Sequence, residues 1–422
     1  MPLIKNHDRQ YDIVVFGATG YTGKLLAEYI TKNLPTDLKW AVAGRSQAKL
    51  QDVVEECKKL DSDRTAPATE IASLNAEDLD ALAKKTCVLL STVGPYAKYG
   101  EHAFKACAEN GTHYVDVTGE VPWVKEMIKK YEKKAQETGA ILIPQAGVES
   151  APPDLSTWAM AKAIRTELGV PTKDVKFCIH NISSTPSGGS HITGLGLFDI
   201  YSFQEIQAAT RPYALSPIPH PEPSKVPDTF AEKIFGVRTV PNLGTLTTSP
   251  IGSSDAAIVE RTWGLLQQTP SRKDQAYGPK FTFVEYLKTR NWLTGACIHW
   301  VLMAGLVVIA NVSPFRNLLK KLVFQPGEGA KREDTLNEEI EYRGVAYPDS
   351  DKATGKVAFC RTYHRGGMYY LTGKLMAEVA MTILEDDTEL GGGIYTPACL
   401  GQGLIDRFDK AGLKFEVSLI DA

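Results

Sequence analysis

The sequence lacks any Cys-x-x-Cys pair; its seven cysteines, Cys57, Cys87, Cys107, Cys178, Cys297, Cys360 and Cys399, are scattered and odd in number. That argues against a disulfide framework or a cysteine zinc site and predicts reduced, mostly buried thiols. There is no His-x-x-x-His spacing, no serine-hydrolase elbow and no Walker-type phosphate loop. Metal-dependent hydrolysis, activated-serine chemistry and P-loop phosphoryl transfer therefore have no motif to stand on, and no metal is expected. A surplus of charge is missing too: the net charge of −3 gives no electrostatic ground for nucleic acid as a partner. No internal repeat or long low-complexity tract is visible, which excludes a solenoid. Met1–Gln10 has no apolar stretch, and Leu419-Ile420-Asp421-Ala422 matches no targeting tripeptide, so a cytoplasmic location is expected.

What is present is an ordinary globular composition, 43% hydrophobic and 23% charged over 422 residues, and a length beyond what one core supports. Two domains are the expectation. The apolar run Asp12–Phe16 leads into Gly17-Ala18-Thr19-Gly20-Tyr21-Thr22-Gly23 and then a helical stretch, Lys24–Asn33. A strand, a glycine turn and a helix start form an anion site, because free backbone N–H groups and the helix dipole both face the ligand. The spacing is Gly-x-x-Gly-x-x-Gly and not Gly-x-Gly-x-x-Gly, so a ligand-free tight turn is the competing reading. Context favours a dinucleotide.

The next strand candidate, Leu38–Ala43, ends in Gly44-Arg45-Ser46. An acid at this place would hydrogen-bond the ribose of NAD, whereas an arginine suits the 2′-phosphate of NADP. The acid is missing. Arg45, Ser46 and Lys49 supply three donors that could converge on that phosphate, so NADPH is the expected cofactor.

Strands and helices keep alternating: Gln47–Leu60 helical, Ala68–Ala72 extended, Ala76–Lys85 helical, Cys87–Val93 extended, Glu101–Asn110 helical, His113–Val117 extended, Pro122–Thr138 helical, Ala140–Ile143 extended. This pattern predicts an α/β fold, a Rossmann-type doubly wound parallel sheet of six strands spanning 1–155. From about Pro171 the rhythm changes, with a strand over Val175–Ile182, a proline-rich tract over Arg211–Pro241, a β-rich run over Thr245–Ser253 and a further strand over Lys356–His364. An inserted α+β substrate domain is expected over 156–368. Helices over 369–422 are expected to return to the first domain.

Ligands of open parallel sheets lie beyond the carboxyl ends of the strands. That selects the glycine turn, Gly44–Ser46, Val93-Gly94-Pro95-Tyr96, Gly119-Glu120 and Pro144–Ser150. Tyr96 could protonate a substrate as hydride arrives, or merely pack in the loop. Glu120 and Glu149 could position substrate or, as we favour, anchor loops. Ser187-Gly188-Gly189-Ser190 could offer N–H groups to a substrate, or be a plain turn. His113 reads as structural.

One apolar run, Cys297–Ala310, is followed by Arg316, Lys320 and Lys321. It is shorter than the roughly 20 residues a spanning helix needs. A buried helix is the first reading. A lipid-docking element over 297–316 is the second.

Together, Gly17–Gly23, Ala43-Gly44-Arg45-Ser46, Val93–Tyr96 with Gly100-Glu101, and Gly111–Asp116 with Gly119-Glu120 resemble the saccharopine dehydrogenase-like oxidoreductase family. Pro326-Gly327-Glu328-Gly329 and Ile394-Tyr395-Thr396-Pro397-Ala398 are similar to its C-terminal half, so the likeness spans nearly the whole chain. It is closer to the branch of trans-acting enoyl reductases and of animal proteins of lipid-associated membranes than to true saccharopine reductases. The resemblance implies NADPH-dependent reduction of an apolar enoyl, ketone or imine substrate, a polyketide- or lipid-type intermediate among them. A dinucleotide-binding protein docked on lipid with little turnover, and an imine or saccharopine-type reductase, are the alternatives. Where the branch reads Cys-Gly-Phe-Asp-Ser-Ile-Pro, this chain has Ala146-Gly147-Val148-Glu149-Ser150-Ala151-Pro152, which puts its substrate specificity in question. The expected partners are an apolar small molecule, a lipid surface and a second copy of the chain.

Overall fold

The computed structural model describes residues 4–184, 188–221, 229–322, 327–351 and 354–422, without the side chains of 188–192. Ser187, named above, lies outside the described residues. The first sheet is built from β1 (Tyr11–Phe16), β2 (Trp40–Gly44), β3 (Ala68–Ile71), β4 (Thr86–Ser91), β5 (His113–Asp116) and β6 (Ile141–Ile143). All neighbouring strands are parallel, with Val14 opposite Ala41 on one side and Leu89 on the other. Every residue of β1 and β2 is buried, which is why both read as unbroken apolar runs and not as alternating ones.

The second sheet holds β7 (Thr172–Ser183), β8 (Arg238–Val240), β9 (Gly244–Thr248), β10 (Thr282–Lys288), β11 (Glu339–Pro348) and β12 (Lys356–Arg365). It is antiparallel except where β10 runs parallel to β7. The helix Gly252–Gln268 packs on it, and its Trp263 is almost fully buried and donates to the Gly278 carbonyl at 2.6 Å. The β-rich run expected over Thr245–Ser253 is thus strand only to Thr248, and helix begins at Gly252.

The chain returns to the first sheet through the helix Met368–Glu385, which lies against Tyr21–Asn33. Gly373 permits the close approach: a Cβ there would stand 3.0 Å from the Leu26 backbone. The expectation of helices alone over 369–422 needs correcting. β13 (Gly393–Ile394) pairs with β6 and makes the first sheet seven-stranded, in the order β13-β6-β5-β4-β1-β2-β3. β14 (Lys414–Asp421) crosses back and pairs with β12 at the edge of the second sheet. A two-residue strand is too short to show a period, and β14 is recognisable only by its partner.

The apolar run after Trp292 is a helix, Trp292–Asn311, and it is not buried. By length and composition it could cross a membrane, yet only 11% of its most apolar window is buried inside the structure. One side is fixed to the second sheet: Thr247 donates to the Gly295 carbonyl at 2.8 Å, and Thr248 Oγ1 meets His299 Nδ1 at 2.7 Å. The other side presents Trp300, Val301 and Val307, which are 52%, 71% and 61% exposed.

Candidate cofactor and substrate site

The glycine turn follows β1 directly. Gly17 has φ +90°, and a Cβ on it would stand 2.7 Å from Val93 Cγ2 and 2.8 Å from Thr92 Oγ1. A Cβ on Gly23 would lie 2.3 Å from the Gly17 carbonyl oxygen. Both glycines therefore let the helix Tyr21–Asn33 start close against the turn. Gly20 caps that helix, no side chain bonds its first N–H groups, and no acid stands in its first turn. The leading N–H groups of an α-helix have no acceptor within it, so this end is open to an anion.

At the end of β2, Ser46 caps the helix Gln47–Leu60 and its Oγ accepts from the Lys49 N–H at 3.5 Å. Arg45 and Lys49 are exposed, and neither engages a carboxylate among the described residues. Two cations with no protein partner stand where a 2′-phosphate lies in dinucleotide folds. The donor set at both ends fits NADP(H).

Glu120 is buried, and its carboxylate accepts from the Tyr96 N–H at 2.6 Å and the Ala97 N–H at 2.9 Å. Burial raises its pKa, and the two backbone bonds oppose that rise. It anchors the loop Val93–Tyr96 against β5, as we favoured from sequence. Tyr96 does not suit a proton donor. Its hydroxyl is turned under the sheet and donates to the Ser91 carbonyl at 2.9 Å, and burial holds its pKa well above the usual tyrosine value. A proton already committed to a buried carbonyl is not free for a substrate, although the Tyr96 ring lines the cleft. His113 accepts the Ile141 N–H at 3.0 Å, and burial lowers its pKa to about 4, in keeping with its structural reading.

The cleft is a cavity of about 650 Å³ running from Gly20, Tyr21 and Thr22 past Gly94, Gly119 and Gly147 to Glu149. Glu149 is exposed and lines the cavity, and desolvation by the surrounding protein raises its pKa. Sequence reasoning missed the far wall: Leu197 and Phe198 from the helix Gly188–Ile200, Ile251, Ser254 and Asp255 from the second domain, Leu306 and Ile309 from Trp292–Asn311, and Met368, Tyr369 and Thr372. Only Leu306 and Ile309 had a signal, the apolar run itself. Among the described lining residues there is no lysine, arginine or histidine; the charged types are Glu120, Glu149 and Asp255. No group of three or more His, Cys, Asp or Glu among the described residues could hold a metal ion.

A parallel sheet with an open helix start, two unpaired cations at the second strand and a cleft roofed by a second domain defines an NADP-binding oxidoreductase. Residues 13–143 match the family of the saccharopine dehydrogenase NADP binding domain. The chain is 30% identical, over 97% of its length and 98% of the relative's, to a Mycobacterium tuberculosis protein provisionally named a trans-acting enoyl reductase. It is also 30% identical to the mouse saccharopine dehydrogenase-like oxidoreductase, with 97% of each chain covered. The chain belongs to the saccharopine dehydrogenase-like oxidoreductase family. Its fold matches apo saccharopine dehydrogenase (L-Glu forming) of Saccharomyces cerevisiae with a TM-score of 0.54 at 12% identity, covering 97% of this chain and 99% of that one.

Proposed function

We propose that this protein is an NADPH-dependent reductase of an apolar, uncharged substrate bearing an enoyl C=C, a ketone or an imine. The observation that carries this reading is the single cavity joining the helix start at Gly20–Thr22 to a wall of Leu197, Phe198, Ile251, Leu306 and Ile309. Bound NADPH would supply hydride; the chain supplies grip, orientation and exclusion of water. The N–H groups of the first helical turn would hold the pyrophosphate, Arg45 and Lys49 would hold the 2′-phosphate, and Glu120 holds the loop at Tyr96 and Ala97 that borders the cavity. The lack of a basic side chain in the described lining counts against amino-acid or saccharopine-type substrates, whose carboxylates would meet only acids. NADPH oxidation measured on panels of apolar enoyl thioesters, ketones and cyclic imines, with saccharopine as a fourth arm, is expected to show turnover on an apolar panel. Turnover on saccharopine alone, or on nothing, would defeat the reading.

The helix Trp292–Asn311 supports a companion proposal, that the protein docks on a lipid surface through Trp300, Val301 and Val307. This helix is cavity wall on one side, through Leu306 and Ile309, and exposed apolar surface on the other. An apolar substrate delivered from lipid would therefore travel only across its thickness. Moving a large apolar side chain fully from water into lipid is worth about 1.5–3 kcal/mol. Of the three flanking cations expected to meet headgroups, Arg316 is buried and pairs with Asp199 at 2.8 Å, Lys320 also pairs with Asp199, and Lys321 alone is exposed without an ion pair among the described residues. Docking should accordingly depend little on lipid charge. Flotation with neutral phosphatidylcholine vesicles is expected to carry the protein up, and Val301→Asp with Val307→Asp to abolish it. Flotation that appears only with anionic vesicles, or survives the double variant, would overturn the docking surface.

A further inference from the structure

Asp255 stands in the first turn of the helix Gly252–Gln268, is 1% exposed and lines the cavity beside Ser254 and Ile251. Neither of its carboxyl oxygens has a hydrogen-bond donor from the protein. Its neighbour Glu285, on β10, is also buried; Glu285 Oε1 accepts from Ser249 at 2.6 Å, while Oε2 likewise lacks a donor. The two carboxyl groups lie within hydrogen-bonding reach of each other. Two facing carboxylates with three orphaned oxygens would leave bare charges side by side in a low dielectric, so a proton must lie between them. The wider surroundings, Glu149, Asp154 and the Tyr342 phenol, supply no cation to offset them. The helix start does favour a charged Asp255, but a helix dipole is worth only about 0.3–2 kcal/mol. Burial and the neighbouring acids outweigh it and raise both carboxyls. The pair therefore holds a proton, and Asp255 is its member that lines the cavity.

We propose that Asp255, sharing a proton with Glu285, is the acid that protonates the substrate in this cavity. The assignment rests on the reductase reading above. A hydride added to one atom of a C=C, C=O or C=N bond brings two electrons and leaves the adjoining atom needing one proton. The Asp255 O–H bond breaks, a bond from that proton to carbon, oxygen or nitrogen forms, and Asp255 is left as a carboxylate. Glu149, open to the cavity, passes a replacement proton in from solvent. This arrangement fills the role that Tyr96 cannot take, in a cavity whose ionisable side chains, among the described residues, are three acids and the phenols of Tyr21, Tyr96 and Tyr369, without a basic group.

Asp255→Asn keeps the shape and can donate an amide hydrogen to Glu285 Oε2, so it is expected to fold. Infrared difference titration of aspartate-labelled protein should show the C=O stretch of a protonated carboxyl persisting above the pH at which ordinary aspartates ionise, with one component missing in Asp255→Asn and shifted in Glu285→Gln. On the panel member that the native protein reduces, Asp255→Asn should lower kcat by about 10²-fold or more with NADPH affinity unchanged, and Asp255→Glu should restore part of it. The native rate should fall as pH rises through the titration of the pair, and Glu285→Gln should displace that limb. An infrared spectrum that Asp255→Asn leaves unchanged, or a variant that turns over like the native protein, overturns the assignment. Should native protein reduce nothing on any panel, the reductase reading fails and the acid falls with it; native activity tells the two failures apart.

Discussion

Gly23→Ala is expected to lower folding stability by about 2–3 kcal/mol and to weaken NADPH binding by about 10²-fold. The added Cβ would stand 2.3 Å from the Gly17 oxygen and 2.8 Å from the Ala18 Cα, both backbone atoms. Neither can yield by a rotamer change. Gly17 is itself held, because its own Cβ position is filled by Val93 and Thr92, and Thr92 Oγ1 donates to the Gly17 carbonyl at 3.2 Å. The helix start must therefore move away from the turn, and its N–H groups move with it. Hydrogen bonds to a charged group are worth about 1.5–3 kcal/mol each, so losing the alignment of two gives the affinity loss stated. Thermal melting with and without NADPH, together with calorimetric titration, checks both halves. A variant that melts like the native protein and still binds NADPH would show that the turn can open without penalty.

The second large effect concerns the choice between cofactors. Arg45→Ala combined with Lys49→Ala is expected to reduce NADPH affinity by about 10²-fold, from two charge-assisted contacts of roughly 1.5 kcal/mol each, and to leave NADH affinity unchanged. Both side chains are exposed and without a protein partner among the described residues, so their removal disturbs no internal bond and stability should hold. Titration with both cofactors makes the comparison. Equal losses for NADPH and NADH would mean that these residues act on something common to the two, and the 2′-phosphate assignment would fail.

Much of the first domain was legible because its signals are local. β1 and β2 are buried on both faces, so they appear as apolar runs, and the glycines at 17 and 23 are required by contacts a few residues away. Arg45 was readable by its place after β2. Tyr96 shows the limit: its position in the loop was right for a cofactor cleft, but the direction of its hydroxyl depends on the Ser91 carbonyl and on burial under the sheet. The helix Trp292–Asn311 shows another. Its composition suits a core helix, and only its position on the rim of the second sheet leaves one side uncovered. Asp255 carried no signal at all, since a lone acid at a helix start is common on protein surfaces, and its partner Glu285 is thirty positions away on a strand.

What the sequence by itself determined is the dinucleotide half: a parallel sheet, a glycine turn and an arginine after the second strand, each specified by residues close together in the chain. The tertiary structure alone decided what faces that cofactor. The cavity wall is assembled from helices and loops separated by tens to hundreds of residues, and the state of its acids depends on burial and on each other, neither of which any short stretch of sequence encodes.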